Sequence, residues 1–177
     1  EQGVRVARFA ETQRNDESVL YQEGLTLKPG QWRIAVQVSD LGGDKTSRAE
    51  AEFKAPAFGR GTFTAPALAY QVRGRGARAA AVAIILNPRG ALAYGGDTAI
   101  AYVEAYDLAA ATRVPITLID SRDSVVLTDS LRFEGGRQVE SSVLRFAPST
   151  TSLGELRIVA GSGENATSTT ALVSFST

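Results

Sequence analysis

The stretch Tyr-Val-Glu-Ala-Tyr-Asp at residues 102–107 places two carboxylates among tyrosines. Two carboxylates are sufficient for glycoside hydrolysis, in which one acts as the acid and the other as the base or nucleophile. Glu104 and Asp107 are three residues apart, however, and a regular strand directs side chains at that spacing to opposite faces of a sheet. The spacing therefore argues against direct cooperation between these two acids.

Three arginines alternate with glycines upstream, in Val-Arg-Gly-Arg-Gly-Ala-Arg-Ala at residues 72–79. The guanidinium groups of Arg73, Arg75 and Arg78 could bind a phosphate or an anionic lipid headgroup through forked hydrogen bonds. The pattern is not a P-loop, because no Gly-Lys-Ser/Thr follows it. A solvated glycine-rich connection between two strands is the other interpretation, and the sequence leaves both open.

A further carboxylate pair, Asp120 and Asp123, flanks the stretch Asp-Ser-Arg-Asp. Calcium could use such carboxylates, but their spacing is not that of an EF-hand loop. Asp and Ser side chains in turns commonly bond to nearby backbone groups. We therefore predict a stabilised turn here and not a metal site.

The missing residue types narrow the chemistry further. The 177 residues contain no histidine and no cysteine, which excludes Ser-His-Asp and Cys-His catalysis by this chain alone, as well as the usual structural zinc sites. Lys+Arg and Asp+Glu are both 19, whereas a nucleic-acid binder normally carries a basic excess. We predict a non-enzymatic chain with no catalytic residues, no cofactor, no metal and no nucleic-acid partner.

The elements that must position these side chains follow a period of two residues. In Gly-Gln-Trp-Arg-Ile-Ala-Val-Gln-Val-Ser-Asp at residues 30–40, Trp32, Ile34, Val36 and Val38 share one face. That alternation is typical of a half-buried antiparallel strand, and it places Trp32 in a core. Similar short runs recur between turn residues along the chain, and no segment shows a convincing amphipathic helix.

Many short strands with little helix indicate an all-β fold. We predict two tandem Ig-like antiparallel β-sandwich domains, at residues 1–57 and 67–177, joined by a Gly- and Pro-rich linker at 58–66. The first domain has room for only four or five strands, so we expect it to be incomplete. Its missing strands could lie upstream of residue 1 or come from a partner.

The strand after the predicted Gly-Gly-Asp turn carries two different faces. Small apolar residues occupy its odd positions from Ala99 to Ala105, and Tyr102, Glu104 and Tyr106 occupy even positions. We expect the odd face to point to the core and the even face to point outward. The outer residues form either a partner contact, together with Arg73, Arg75 and Arg78, or ordinary cross-strand pairs on a solvated face.

Two segments together resemble the β-sandwich region of bacterial GWxTD-domain proteins. ETQRNDESVLYQEGLTLKPGQWRIAVQVSD, at residues 11–40, resembles that family's strand-turn-strand with its Leu-x-Pro-Gly-x-aromatic signature. LNPRGALAYGGDTAIAYVEAYDL, at residues 86–108, resembles its Asn-Pro turn, Gly-Asp turn and Tyr-x-Glu-x-Tyr strand. The naming motif Gly-Trp-x-Thr-Asp does not occur, and the single tryptophan is Trp32.

Members of that family are typically exported, so the resemblance implies a periplasmic or extracellular location. Combined with the residue types, it leads us to expect a scaffold or accessory subunit that binds a larger assembly, such as a membrane-embedded respiratory, photosynthetic or secretion complex. The chain itself has no apolar run long enough to span a bilayer. The alternative is a carbohydrate-binding or carboxylate-dependent glycan-active domain, whose available rings are Trp32, Tyr70, Tyr94, Tyr102 and Tyr106.

Overall fold

The computed structural model describes residues 21–40, 42–80, 82–96 and 98–175. Their regular structure consists of twelve β-strands and two single 3₁₀ turns, at Pro148–Thr150 and Gly163–Asn165. This confirms the all-β prediction. Residues 1–20 of the first predicted domain lie outside the described residues, as does Asp97 of the predicted Gly-Gly-Asp turn.

The first two strands, β1 (Gly30–Ser39) and β2 (Thr46–Ala55), form a two-stranded antiparallel sheet by themselves. Trp32 pairs with Phe53, so the predicted apolar face of β1 continues across β2. Every residue of these two strands is exposed except Gly30 and Ala55 at the base of the hairpin. Trp32, predicted to be in a core, is therefore 39% exposed, because two strands cannot cover their own apolar face.

The remaining ten strands form two five-stranded sheets. The front sheet has the order β10-β7-β4-β5, with β3 also paired to β7, and the back sheet has the order β6-β12-β11-β8-β9. All pairings are antiparallel except the parallel pair β6–β12. The front strands are β3 (Thr62–Phe63), β4 (Ala67–Arg73), β5 (Ala83–Leu86), β7 (Ala99–Tyr106) and β10 (Val139–Phe146). The back strands are β6 (Ala91–Ala93), β8 (Thr112–Ile119), β9 (Val125–Phe133), β11 (Gly154–Ala160) and β12 (Thr167–Ser174).

The core lies between these two sheets and follows the predicted alternation. The odd residues of β7, including Ala101 and Val103, pack with fully buried side chains of the back sheet such as Ile116 and Ile158. Small side chains on β7 let the two sheets approach, and the larger aliphatic residues of β8 and β11 fill the space between them.

Part of the segment predicted as a linker belongs to this sandwich. Thr62 and Phe63 form β3 opposite Tyr106 and Ala105 of β7, and the Phe63 ring lies 5.6 Å from that of Phe133. The Gly and Pro content of residues 58–66 therefore reflects a bend between two strands of one sheet, since β3 and β4 both pair with β7.

One side of the sandwich is closed by side chains that join the two sheets. β9 and β10 are the outer strands of their sheets on this side. Ser142 Oγ accepts from the Arg132 N–H at 3.3 Å, and Glu140 Oε2 accepts from the Glu134 N–H at 2.7 Å. The polar residues Ser142 and Glu140 thus satisfy one outward-facing N–H group of β9 and the N–H group that directly follows it, which would otherwise belong to an open edge.

The loop between β9 and β10 packs closely on the loop that follows β7. The Gly136 N–H donates to the Leu108 carbonyl at 2.9 Å. Its neighbour Gly135 has φ of 82°, and a Cβ at this position would lie 2.5 Å from the carbonyl carbon of Ala110. Position 135 therefore requires glycine for two reasons: its φ is positive, and there is no space for a Cβ atom.

We predict that Gly135→Ala lowers the free energy of unfolding more than Gly136→Ala does. Both substitutions place an L-residue at positive φ, which costs about 1–2 kcal/mol. A Cβ at Gly136 would have no atom within 4 Å, so this position is the matched control for conformational strain alone. The overlap with Ala110 should add about 1–3 kcal/mol for Gly135→Ala, measured by urea denaturation. Equal losses for the two variants would contradict the close packing of these loops.

Candidate functional site

The predicted site residues of β7 lie on the outer face of the front sheet. Tyr102, Glu104 and Tyr106 share that face, as the alternation predicts. Each is only 4% exposed, so the face is covered and is not the solvated surface expected from the sequence. The cover comes from residues 74–80, the loop after β4, and from Phe58. A surface that the sequence assigns to solvent is therefore a second buried layer.

Glu104 is the centre of this layer, and its carboxylate accepts four hydrogen bonds. Arg75 donates from Nε to Oε1 at 3.0 Å and from Nη2 to Oε2 at 2.9 Å. The hydroxyls of Tyr102 and Tyr106 donate to Oε1 and Oε2 at 2.7 and 2.6 Å. A carboxylate has about four acceptor positions, so those of Glu104 are all used.

Arg75 is equally saturated. Besides the two bonds to Glu104, its Nη2 donates to the Tyr106 hydroxyl at 3.3 Å. Its Nη1 donates to the carbonyl oxygens of Arg78 and Ala80 at 3.0 and 3.2 Å. These five bonds use the five N–H donors of a guanidinium. Arg75 therefore binds β7 on one side and holds the shape of its own loop on the other.

Arg78 extends the cluster to the segment that precedes β3. Its Nη2 donates to Asp107 Oδ2 at 2.6 Å and to the Phe58 carbonyl oxygen at 3.0 Å. Its guanidinium lies 4.9 Å from the ring centroid of Tyr106, within the range of a cation–π contact. The Phe58 ring stacks on the same tyrosine at 4.6 Å.

Asp107 joins the same cluster because β7 ends at Tyr106. Its φ of 46° is in the left-handed region, so the strand alternation does not extend to it. Glu104 and Asp107 consequently bind two arginines of one loop, Arg75 and Arg78. The expectation of opposite faces holds for a regular strand and does not apply to a residue beyond its end.

Arg73 is separate from this cluster. It is the last residue of β4 and is exposed, and its guanidinium has no hydrogen-bond partner within the described part of the chain. The structure thus brings together five of the six residues singled out from the sequence: Tyr102, Glu104, Tyr106, Arg75 and Arg78. The suggestion that these residues contact a partner remains a prediction.

The cluster shifts the pKa values of its members in directions that favour the observed charges. Burial alone would raise the pKa of Glu104, but the hydrogen bonds from Arg75, Tyr106 and Tyr102 outweigh it and lower the pKa. Burial, reinforced by the Glu104 carboxylate, raises the pKa of Tyr106 to about 12, and the same causes raise the pKa of Tyr102. The stable form is an ionised Glu104 with two neutral phenols.

The second carboxylate group, at the β8–β9 turn, makes the local bonds that its sequence predicts. Asp120 Oδ1 accepts from the backbone N–H groups of Arg122 and Ser124 at 2.9 and 3.0 Å. Its Oδ2 accepts from Ser152 Oγ at 2.8 Å and from the Arg122 guanidinium. The Ser152 bond, with the backbone and Arg122 bonds, lowers the pKa of Asp120. Asp120 thereby fixes the turn and ties it to the loop after β10.

A shallow groove of about 470 Å³ lies beside the arginine loop at the edge of β10. Gly74 at its rim has no room for a side chain, because a Cβ would lie 1.9 Å from Ser141 Oγ. The other lining residues are Arg75, Gly76, Arg132, Glu134, Arg137, Glu140 and Ser141. The sequence analysis did not predict the contact of Phe58 or this groove. The cluster around Glu104 could have been predicted from the opposite charges of the arginine-rich loop and the acidic strand.

The arrangement is suited to holding a loop in place and not to proton transfer. A general base needs a free acceptor position within reach of a substrate, and the acceptor positions of Glu104 are filled. Stacking on a sugar needs an exposed ring face, and Tyr102 and Tyr106 are buried. The cluster is therefore best described as the structural lock of the front sheet.

Comparison with known proteins does not assign the chain. No protein-family model matches it, and no curated protein matches it either. The functional conclusion consequently depends on the geometry described above and on the surfaces that it leaves uncovered.

We predict that Glu104→Gln lowers the free energy of unfolding by about 3–5 kcal/mol, because it removes the counter-charge of the Arg75 guanidinium, whose side chain is only 17% exposed. Asp107→Asn is the matched control: it removes a carboxylate from the other arginine of the loop, in a half-exposed pair. That variant should lose about 1 kcal/mol or less. Urea denaturation at neutral pH measures both values, and similar small losses would contradict the role of Glu104 as the centre of the lock.

We predict a loss of stability at alkaline pH that depends on Tyr106. A phenol in the unfolded chain has a pKa of about 10, and the folded value for Tyr106 is about 12. The unfolded state therefore loses its proton first, so the stabilisation is fully present below about pH 10 and disappears as the pH rises towards 12. The free energy of unfolding should fall more steeply across this interval for the wild type than for Tyr106→Phe. Identical slopes would show that the phenol is not held neutral by the cluster.

Proposed function

We propose that this chain is a non-enzymatic, extracytoplasmic β-sandwich module that binds a larger protein assembly as a scaffold or accessory subunit. The observation that carries the proposal is the uncovered apolar face of the β1–β2 hairpin. The saturated chemistry of the Glu104 cluster supports a structural use of the residues that first suggested catalysis. A membrane-embedded respiratory, photosynthetic or secretion complex is the type of assembly that we propose.

The hairpin face has the composition of a protein contact. An isolated two-stranded hairpin is at best marginally stable in water and needs packing against further strands or a helix. Exposed apolar patches of this kind mark interaction sites. The aromatic pair Trp32–Phe53 stands at the base of the face, and aromatic residues are enriched at interfaces. The face consists of Trp32, Ile34, Val36 and Val38 opposite Phe53, Ala51, Ala49 and Ser47.

The opposite face of the hairpin is polar and charged. It carries Arg33 and Glu50, which form an ion pair, and Arg48, which bonds to the same carboxylate. A hairpin with one apolar and one charged face can bury the first against a partner while the second stays in water. This division supports a partner that covers one face of the hairpin and leaves the other free.

The proposed location and family context extend the resemblance to GWxTD-domain proteins. The Leu-x-Pro-Gly-x-aromatic segment leads directly into β1, and the Tyr-x-Glu-x-Tyr segment is β7. These two signatures therefore correspond to the hairpin and to the strand at the centre of the lock. We propose on this basis that the hairpin and the lock are shared features of that β-sandwich region.

The described residues contain no helix with the length and apolar character needed to cross a bilayer.

We predict that Val36→Lys separates the chain from its assembly, whereas Ala35→Lys does not. Val36 lies on the apolar face and Ala35 on the polar face, opposite Glu50, so the two variants add the same charge to the same exposed strand. Gentle detergent extraction followed by native electrophoresis should show the wild type in a large complex. The fraction bound should fall by at least about tenfold for Val36→Lys, because a buried contact is replaced by a charge. Migration of the wild type alone, or equal loss for both variants, would contradict the proposal.

A further inference from the structure

Among the described residues, the outer edge of strand β5, the last strand of the front sheet, is capped by one side chain, that of Gln22. Gln22 donates from Nε2 to the carbonyl oxygen of Ile84 at 2.6 Å, and its Oε1 accepts from the backbone N–H of Leu86 at 3.0 Å. One carboxamide thus satisfies two backbone groups that a neighbouring strand would otherwise pair. Gln22 stands where the backbone of a further strand would lie.

The edge beneath this cap lacks the features that normally protect an edge strand. Residues 82–86 read Val-Ala-Ile-Ile-Leu, with no charge and no proline. Natural proteins usually place lysine, proline or a bulge on an open edge to prevent strand addition. Ile85 and Leu86 are instead 41% and 36% exposed. Within the described part of the chain, Gln22 is the feature that closes this apolar edge.

The geometry of β5 makes it complementary to itself. The N–H of Asn87 bonds inward to Leu68 of β4, whereas the Gln22 bonds show that Ile84 and Leu86 face outward. Two antiparallel copies related by a two-fold axis at Ile85 would place Ile84 of each opposite Leu86 of the other. Each of these two Ile84–Leu86 pairs is of the hydrogen-bonded type and exchanges two bonds. The four bonds use the outward N–H and C=O groups of Ile84 and Leu86 in both copies.

We propose that β5 is a self-association edge, on which a second copy of this chain adds its own β5 antiparallel after Gln22 leaves. Release of Gln22 gives up two hydrogen bonds per copy, and the new pairing returns two per copy. Because the hydrogen bonds lost and gained are equal in number, the apolar surface buried around Ile85 determines whether the dimer is favoured. Residues 82–86 carry no charge and the net charge of the chain is zero, so electrostatic repulsion does not oppose the approach of two copies. This inference is independent of the proposed function, because it does not involve the hairpin face.

The first test compares dimer formation by analytical ultracentrifugation over a range of protein concentrations. Gln22→Ala removes the cap and should lower the dimer dissociation constant by about tenfold or more, since no capping bonds have to be broken. Gln31→Ala, an exposed glutamine on the hairpin, should leave the constant unchanged. Ile85→Lys added to Gln22→Ala should restore the monomer, because the two-fold axis would bring two lysines together.

The second test locates the contact with a disulfide. The chain has no cysteine, so a single introduced one reports unambiguously. Ile85 would face its own copy in a non-hydrogen-bonded pair with a Cα separation of about 4.5 Å, which permits a disulfide. Ile85→Cys in the Gln22→Ala background should therefore cross-link under mild oxidation, whereas Leu153→Cys, at an exposed loop position, should not. A Gln22→Ala protein that stays monomeric, or a dimer that neither Ile85 substitution affects, would overturn the proposal.

Discussion

The paired hydrogen bonds between Arg75 and Glu104 are the interaction on which the rest of this structure depends. They neutralise a buried carboxylate near the end of β7, the strand that pairs with β3, β4 and β10. Arg75 also shapes the loop that covers the outer face, and Arg78 of the same loop reaches Phe58 before β3. A buried carboxylate without such partners would strongly destabilise the fold, so the glycine-flanked arginine loop and the acidic strand are physically inseparable.

The hairpin and the sandwich differ in how far their side chains are covered. The sandwich buries Glu104 in a saturated network of hydrogen bonds, whereas the described part of the hairpin leaves an apolar face open. The residues whose types suggested catalysis are engaged in hydrogen bonds within the sandwich.

The sequence predicted the strand faces well because the two-residue period is a property of the backbone itself. The shared face of Tyr102, Glu104 and Tyr106 and the shared face of Trp32 and Val36 follow from it directly. The period could not show which face is covered. The cover on Glu104 comes from Arg75, 29 positions away, in a loop without periodicity, and no described strand covers Trp32.

Local composition predicted the wrong conformation where strand pairing with a distant part of the chain determines it. Residues 58–66 have the Gly and Pro content of a linker, yet Thr62 and Phe63 complete a sheet. The alternation also could not anticipate that Asp107 turns to the left-handed region and joins Arg78. By contrast, the Asp120 turn was predictable, because its backbone bonds span two to four residues.

A double-mutant cycle between Arg75 and Glu104 tests the central claim most directly. The free energies of unfolding of the wild type, Arg75→Met, Glu104→Gln and the double variant are compared. Subtracting the effects of the two single substitutions from that of the double variant gives the coupling energy between the two side chains. The account predicts a coupling of about 2–3 kcal/mol, clearly larger than that of the half-exposed Arg78–Asp107 pair. Additivity within about 0.5 kcal/mol would show that the two residues act independently and that the lock is not what holds the front sheet together.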